Sequence, residues 1–336
     1  MDHNLCNEDS VLVLNSSFIK ENVPMSRAIE LMETAFRMLS DHNAYIPKRV
    51  VMTTPDESLS IFFKPAFMSQ YKRLSIKILT QILDNDNPDL PTIKGVVMLI
   101  DTLTGRILSL TDGTYLTALR TGAASGIATS YLANRDSSSL AVFGCGAQGR
   151  TQVEAVMAVR PIKKVCLFDP AYSKAVRLGA EIFAKTGLSC DINPDPGILK
   201  DIDVICTATP GNTPLFRLNQ LKPGVHINAV GSFRPDMHEL DPKIFGAGLI
   251  YLDDAPACIS GSGDILNPIN LGIIREEDIT GELGALIGGS IPGRRNSSDI
   301  TIFKSVGNAI QDFFVANEAY DKSISLKEGQ IIKLVD

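Results

Sequence analysis

Two kinds of patterning in one chain predict an α/β fold in two parts, with the change near residue 137. Before that point, short β-rich runs follow one another closely between turn residues, as in antiparallel meanders. After it, apolar strand-like runs alternate with helical stretches, the mark of a parallel sheet covered on both faces. A length of 336 residues supports about two domains.

The elements follow in order. Ile29, Met32, Phe36 and Leu39 recur at spacings of three and four, which predicts an amphipathic helix. Meander strands are expected at 49–53, 60–64, 74–80, 95–101 and 106–111. Turn signals such as Asp84-Asn85-Asp86-Asn87-Pro88 and Thr104-Gly105 separate them. A helix of small residues over 115–134 contains Thr121-Gly122-Ala123-Ala124-Ser125-Gly126. Parallel strands are expected at 139–143, 163–169, 203–207, 225–230 and 248–253, and a tail helix over 302–320.

Composition narrows the function. Lys plus Arg number 32 against 38 Asp plus Glu, a net charge of −6 without a basic block. That argues against nucleic acid or an anionic membrane as partner, so an anionic ligand needs positive charge gathered locally. Hydrophobic residues at 44% and charged residues at 21% describe an ordinary globular chain, not a disordered one. No apolar run approaches the ~20 residues of a membrane span. Met1-Asp2-His3-Asn4 lacks the basic-then-apolar order of a signal peptide. The six cysteines form no CxxC pair, which excludes zinc-ribbon and thioredoxin-like sites and fits a reducing cytoplasm. With four histidines, a His-rich metal site is not expected.

The strongest motif is Ser139-Leu-Ala-Val-Phe-Gly144-Cys-Gly146-Ala-Gln-Gly149, a strand running into G-x-G-x-x-G. Gly144 permits the tight turn, Gly146 lets backbone approach a pyrophosphate, and Gly149 allows close helix–strand packing. The helix that starts there offers unpaired N–H groups and a positive dipole end to phosphates. The next strand ends in Asp169, placed to accept hydrogen bonds from the adenosine ribose. A carboxylate there repels a 2′-phosphate, so NAD is expected and NADP less so.

Further segments combine in a specific order: Ile46-Pro47-Lys48-Arg49, Lys77, Thr117-Ala-Leu-Arg120-Thr121-Gly122-Ala123, and Asn228-Ala-Val-Gly231-Ser-Phe-Arg234-Pro235-Asp236. Ser262-Gly-Asp264-Ile265, Gly281-Glu-Leu-Gly284, Pro292-Gly293-Arg294 and Thr301-Ile-Phe-Lys304-Ser305-Val306-Gly307 follow. From about residue 25 to 320, this order resembles the ornithine cyclodeaminase/mu-crystallin family. The resemblance implies a Rossmann-type nucleotide-binding domain (129–304) inserted into an α+β substrate and dimerisation domain (1–128 plus 305–336), and a homodimer.

It also implies roles. Arg49, Lys77 and Arg120 match the family's substrate-carboxylate binders, and Lys77 is the candidate for acid–base work. From pattern alone Lys77 reads as a solvated strand lysine, with Leu74, Ile76 and Ile78 on the opposite side. Thr92, Arg120, Thr121, Gly144, Gly146, Ala147, Gln148, Gly149, Asp169, Thr207, Val230, Gly231 and Ser305 match cofactor-contact positions. Thr207 also reads as a satisfied strand threonine.

Phe233 departs from the family's cyclodeaminases, which carry an aspartate there to handle the substrate amine. Asp236 is expected to cap a helix beginning near Met237, His238 to lie on its surface, and Asp264 to be structural or at a hinge. The implied chemistry is NAD(H)-dependent hydride exchange at the α-carbon of a small anionic amino or imino acid, as ketimine reductase or alanine-dehydrogenase-like enzyme. Two alternatives stay open: ornithine cyclodeamination to proline and ammonia with internally recycled NAD, and dinucleotide binding without turnover.

Overall fold

The computed structural model describes residues 10–82 and 93–333. Its first segment contains β1 (Ser10–Leu14), α1 (Ser16–Asn22), α2 (Met25–Ser40), β2 (Val50–Thr53), β3 (Leu59–Met68), β4 (Arg73–Ile82), β5 (Ile93–Asp101), β6 (Ile107–Asp112) and α3 (Gly113–Leu132). Then come β7 (Ser139–Phe143), α4 (Ala147–Val159), β8 (Lys164–Phe168), α5 (Tyr172–Thr186), β9 (Cys190–Ile192), β10 (Val204–Thr207) and β11 (His226–Ala229). They are followed by α6 (Pro242–Ala247), β12 (Gly248–Leu252), α7 (Ala255–Gly261), α8 (Gly263–Asn270), β13 (Gly281–Glu282), α9 (Leu283–Ile287) and β14 (Ile300–Lys304). The chain closes with α10 (Ala309–Leu326) and β15 (Gln330–Lys333).

Two units result: Met1–Arg120 with Asn308–Asp336, and Thr121–Gly307. The division falls inside α3 and after Gly307, whereas the boundaries implied by resemblance were 128/129 and 304/305. Ser305 thus falls in the second unit.

The first unit is built on a sheet of order β15-β1-β6-β5-β4-β3-β2. Its pairs are antiparallel except β1 with β6, which run parallel. The expected meander is β2 to β6, but β1, α1 and β15 were not anticipated. α10 packs against α2 and across β3 to β6. Phe313, Phe314, Val315 and Ala316 are buried there, which seals one sheet face.

That packing inverts the expectation for β4. Ser75, Lys77 and Leu79 are the buried set, while Leu74, Ile76 and Ile78 are only half-buried. Alternation correctly separates two faces of a strand, but it cannot say which one a helix will cover. The outer face carries Ile61, Phe63 and Phe67 of β3, Leu74, Ile76 and Ile78 of β4, and Val96 and Met98 of β5, all half-exposed. A contiguous apolar surface of this extent on a monomer marks an interaction face.

The second unit is an all-parallel sheet of order β13-β12-β14-β11-β10-β7-β8-β9. Successive residues of β7 point to opposite faces: Ala141 and Phe143 join one buried cluster with Ile205, Ile227 and Ile302, whereas Leu140 and Val142 join another with Val165 and Leu167.

The tail departs from the expected helix over 302–320. Residues Ile300–Lys304 are not helical but form β14, between β11 and β12, and the helix starts only at Ala309. A short, fully buried strand shows no period that would separate it from a helix. Nor does a helix begin at Met237; Asp236 is exposed and pairs instead with Arg234, 3.1 and 2.8 Å from Nε and Nη2. His238 is half-buried on the same irregular segment, its N–H donated to the Gly211 carbonyl.

Candidate functional site

The nucleotide cradle is built at the carboxyl ends of the parallel strands. Gly144 follows β7 with φ +93°, a conformation that L side chains rarely adopt. At Gly149 a Cβ would stand 1.9 Å from the Gly144 carbonyl oxygen, so helix and turn approach closely only because it is glycine. Gly146, by contrast, has open space where a Cβ would lie, and both it and Ala147 are exposed. No side chain caps α4, so its first N–H groups stay available. These residues fit a pyrophosphate.

Asp169 lies just past β8, and its carboxylate accepts from the N–H groups of Cys145 and Ala171, each at 2.8 Å. It thereby ties the glycine turn to the strand tip and keeps acceptor capacity for hydroxyl donors. Next to it a cavity of about 270 Å³ is lined by Phe143, Phe168, Asn193, Thr209 and Leu215. Flat aromatic and aliphatic walls beside a ribose acceptor suit an adenine.

Two of the other predicted cofactor positions, Thr207 and Gly231, share one organiser, Glu239, which sequence reasoning missed. Its buried carboxylate accepts from the Thr207 hydroxyl (2.8 Å), the Thr209 N–H (2.7 Å) and hydroxyl (2.8 Å), and the Gly231 N–H (2.8 Å). Burial and the Asp264 carboxylate push Glu239 upward, and Lys304 opposes them. Thr207 is therefore satisfied within the fold. Val230 donates to the Thr207 carbonyl at 3.0 Å. The Ser305 hydroxyl is held by Asp253 at 2.7 Å. Thr121, on α3, accepts from Gln152 through its carbonyl at 3.4 Å. Thr92 lies outside the described residues. Phe233 is half-buried against the apolar cluster of the parallel sheet. The cysteines Cys145 and Cys206 are pushed up to about 12 by burial, too high for nucleophilic work at neutral pH.

The first unit holds a cationic cluster. Lys77 Nζ lies 2.7 Å from the Asp312 carboxylate of α10 and 3.3 Å from the Thr117 hydroxyl. Both side chains of the ion pair are 1% exposed. Arg120 reaches the same carboxylate at 3.2 Å and donates to Gln311 Oε1 at 2.7 Å. Two predicted substrate binders are thus brought together on one acid. The Arg49 guanidinium stands 5.9 Å from the Phe62 ring centre, on the same sheet face.

Burial drives Lys77 down to about 8, against the pull of Asp312 and with the push of Arg120. Burial alone would raise Asp312, but Lys77, Arg120 and Lys64 outweigh it and hold the carboxyl below its usual range.

Lys64 and Asp312 were not foreseen. Each had a signal: Lys64 is a lone charge inside the apolar stretch Ile61-Phe62-Phe63-Lys64-Pro65-Ala66-Phe67, and Asp312 a lone charge at the head of Phe313-Phe314-Val315-Ala316. Among the described residues, no group of three or more His, Cys, Asp or Glu side chains is arranged to hold a metal.

Known proteins share this architecture. The chain is 36% identical to a Δ1-pyrroline-2-carboxylate reductase of Bacillus cereus over 96% of its length and all of that protein. The structure of the Thermococcus litoralis Δ1-pyrroline-2-carboxylate reductase in complex with NADH and L-proline superposes with a TM-score of 0.92, at 33% identity and covering 95% and 99% of the two chains. An archaeal alanine dehydrogenase dimer with bound NAD gives 0.90 at 32% identity, covering 97% and 100%. The model of the ornithine cyclodeaminase/mu-crystallin family matches residues 10–327. From strand β1 to the end of α10, the chain belongs to the ornithine cyclodeaminase/mu-crystallin family.

Proposed function

We propose that the protein is an NAD(H)-dependent oxidoreductase acting at the α-carbon of a small amino or imino acid, with imine reduction as the leading direction. The observation that carries this is the presence, in one chain, of a dinucleotide cradle and a buried cationic cluster, at 36% identity to an imine reductase along its length. Bound NADH supplies the hydride. Lys77 and Arg120, with Arg49, bind the substrate carboxylate and so fix the α-carbon's orientation, which lowers the entropic barrier. Asp312 holds Lys77 and Arg120 in position between turnovers. Lys77 carries the proton that the imine nitrogen requires, its lowered value matching that duty near neutral pH.

Phe233 argues against ornithine cyclodeamination, since a phenyl ring packed on the core neither accepts a proton nor offers the negative charge of a carboxylate to an ammonium. The deciding experiment follows absorbance at 340 nm with NADH and a panel of imines: five- and six-membered cyclic imino acids, and pyruvate with ammonia. Stoichiometric NADH loss is expected. Ammonia release from ornithine without net NADH change, or no turnover at all, would replace this reading.

Asp169 supports NAD over NADP. Asp169→Asn keeps an acceptor for a backbone N–H but removes the charge that repels a 2′-phosphate. The ratio of kcat/KM for NADPH over NADH should rise about 10- to 100-fold, or ~1.4–2.7 kcal/mol. An unchanged ratio would show that Asp169 only braces the turn.

The half-exposed apolar face of the first unit supports a homodimer. Light scattering should read twice the 36.3 kDa chain mass, and a Val96→Glu variant should read once. All five described cysteines are free, which supports a reducing compartment and hence the cytoplasm. Among the described residues no helix is long and apolar enough to cross a membrane.

A further inference from the structure

Asn193 walls the cavity of about 270 Å³ together with Asp169, and it also holds that acid's main chain. It follows β9, the edge strand of the parallel sheet, which pairs with β8 as far as Leu167 and Ile192. The Asn193 N–H donates to the Leu167 carbonyl at 2.8 Å. There the main chain leaves the ladder, because φ turns to +44° and Pro194 follows with no N–H to give. The side chain takes over. Its Oδ1 accepts from the Asp169 N–H and its Nδ2 donates to the Asp169 carbonyl, each at 2.9 Å. One amide stands in for the strand that has ended, and asparagine is among the few residues that hold a left-handed φ while offering both an acceptor and a donor.

Asp169 is consequently fixed in its main chain as well as in its carboxylate. The peptide between Phe168 and Asp169 is held from both sides, its carbonyl by the Gly144 N–H at 2.8 Å and its N–H by Asn193. The two bonds to the carboxylate come from Cys145 in the glycine turn and from Ala171, so neither ties the Asp169 main chain to the sheet. Repulsion between a carboxylate and a 2′-phosphate falls with distance, so it discriminates well only where the carboxylate is kept in one place.

Granting Asp169 the selectivity role proposed above, we infer that Asn193 is a positioning residue for cofactor choice. By fixing the Asp169 main chain it places the charge that turns away a 2′-phosphate.

Fluorescence titration of the full-length protein with NADH and with NADPH tests this without turnover. Asn193→Gly suits the left-handed φ and removes both side-chain bonds. The ratio of Kd for NADPH to Kd for NADH should fall about 3- to 10-fold, in keeping with the loss of two exposed hydrogen bonds. Asn193→Ala should lower it in the same sense. Asn193 is exposed, so neither substitution opens the core, and should one variant fail to fold the other decides. In an Asp169→Asn background, adding Asn193→Gly should change the ratio less than about twofold, because the charge it positions is gone. A ratio within about twofold of wild type in the folded Asn193 variants, or an equal fall with and without the Asp169 carboxylate, overturns the assignment and leaves the role of Asp169 standing. An unmoved ratio in Asp169→Asn itself removes that role, and this one with it.

Discussion

Lys77→Met should lower kcat/KM for imine reduction by roughly 10²- to 10⁴-fold, the range expected when a positioned proton donor is lost. Most of the loss should fall on kcat, because Arg120 still offers a charged hydrogen bond to the carboxylate. NADH affinity should stay within about twofold, since the cradle is built from residues of Thr121–Gly307 and Lys77 is not among them. The fold should survive, because Arg120 remains on Asp312 and no buried charge is stranded. A variant that keeps full turnover and raises only KM would make Lys77 a binder and nothing more.

The same group sets a pH dependence. Lys77 falls from the ordinary 10.5 to about 8 in the folded protein, because burial outweighs the attraction of Asp312. The wild-type kcat/KM should decline above about pH 8 as the ammonium loses its proton, and Lys77→Met should lack that limb. The sign for stability is opposite. The folded state binds fewer protons than the unfolded chain between the two values, so Lys77's contribution to stability rises with pH from about 8 to 10.5. Below that window its burial penalty is fully present.

Much of this site was legible in the chain. The glycine spacing after an apolar strand fixes a strand–turn–helix cradle by steric necessity, and Gly149 shows why: its missing Cβ is the space the Gly144 carbonyl occupies. Lys77 was legible as a residue but not as a buried one. Its strand alternates cleanly, yet burial on the polar side comes from α10, more than 230 residues later, and only tertiary packing reveals it. Asp312 stood out as a charge beside an apolar stretch, but its partners lie on β4 and α3, and only packing shows them. β14 was misread because Ile-Thr-Ile-Phe is short, apolar and continuous, and such a run has no period to read. Glu239 gave no local sign, because the four donors it gathers come from Thr207, Thr209 and Gly231 on two different strand ends.

β14 also matters energetically, because it ends in Lys304, half of a second buried ion pair. Lys304 Nζ lies 3.0 Å from Asp264, both side chains fully buried. The other Asp264 oxygen accepts from the N–H groups of Glu239 (2.7 Å) and Leu240 (3.1 Å). Asp264→Ala therefore strands an ammonium and two backbone donors at once. Breaking a buried pair from one side costs about 3–5 kcal/mol, which for a unit of this size lowers Tm by roughly 6–20 °C. Loss of the short Glu239 bond also frees the segment that presents Glu239 to Thr207, Thr209 and Gly231, so NADH affinity should weaken about 10-fold or more. Asp264→Ala with Lys304→Met removes the uncompensated charge but leaves the two N–H groups unpaired. It should recover part of the lost Tm and little of the NADH affinity. Full recovery of both would show that charge alone was at stake, and a Tm shift below about 2 °C in Asp264→Ala would mean that the pair is not buried in the folded protein.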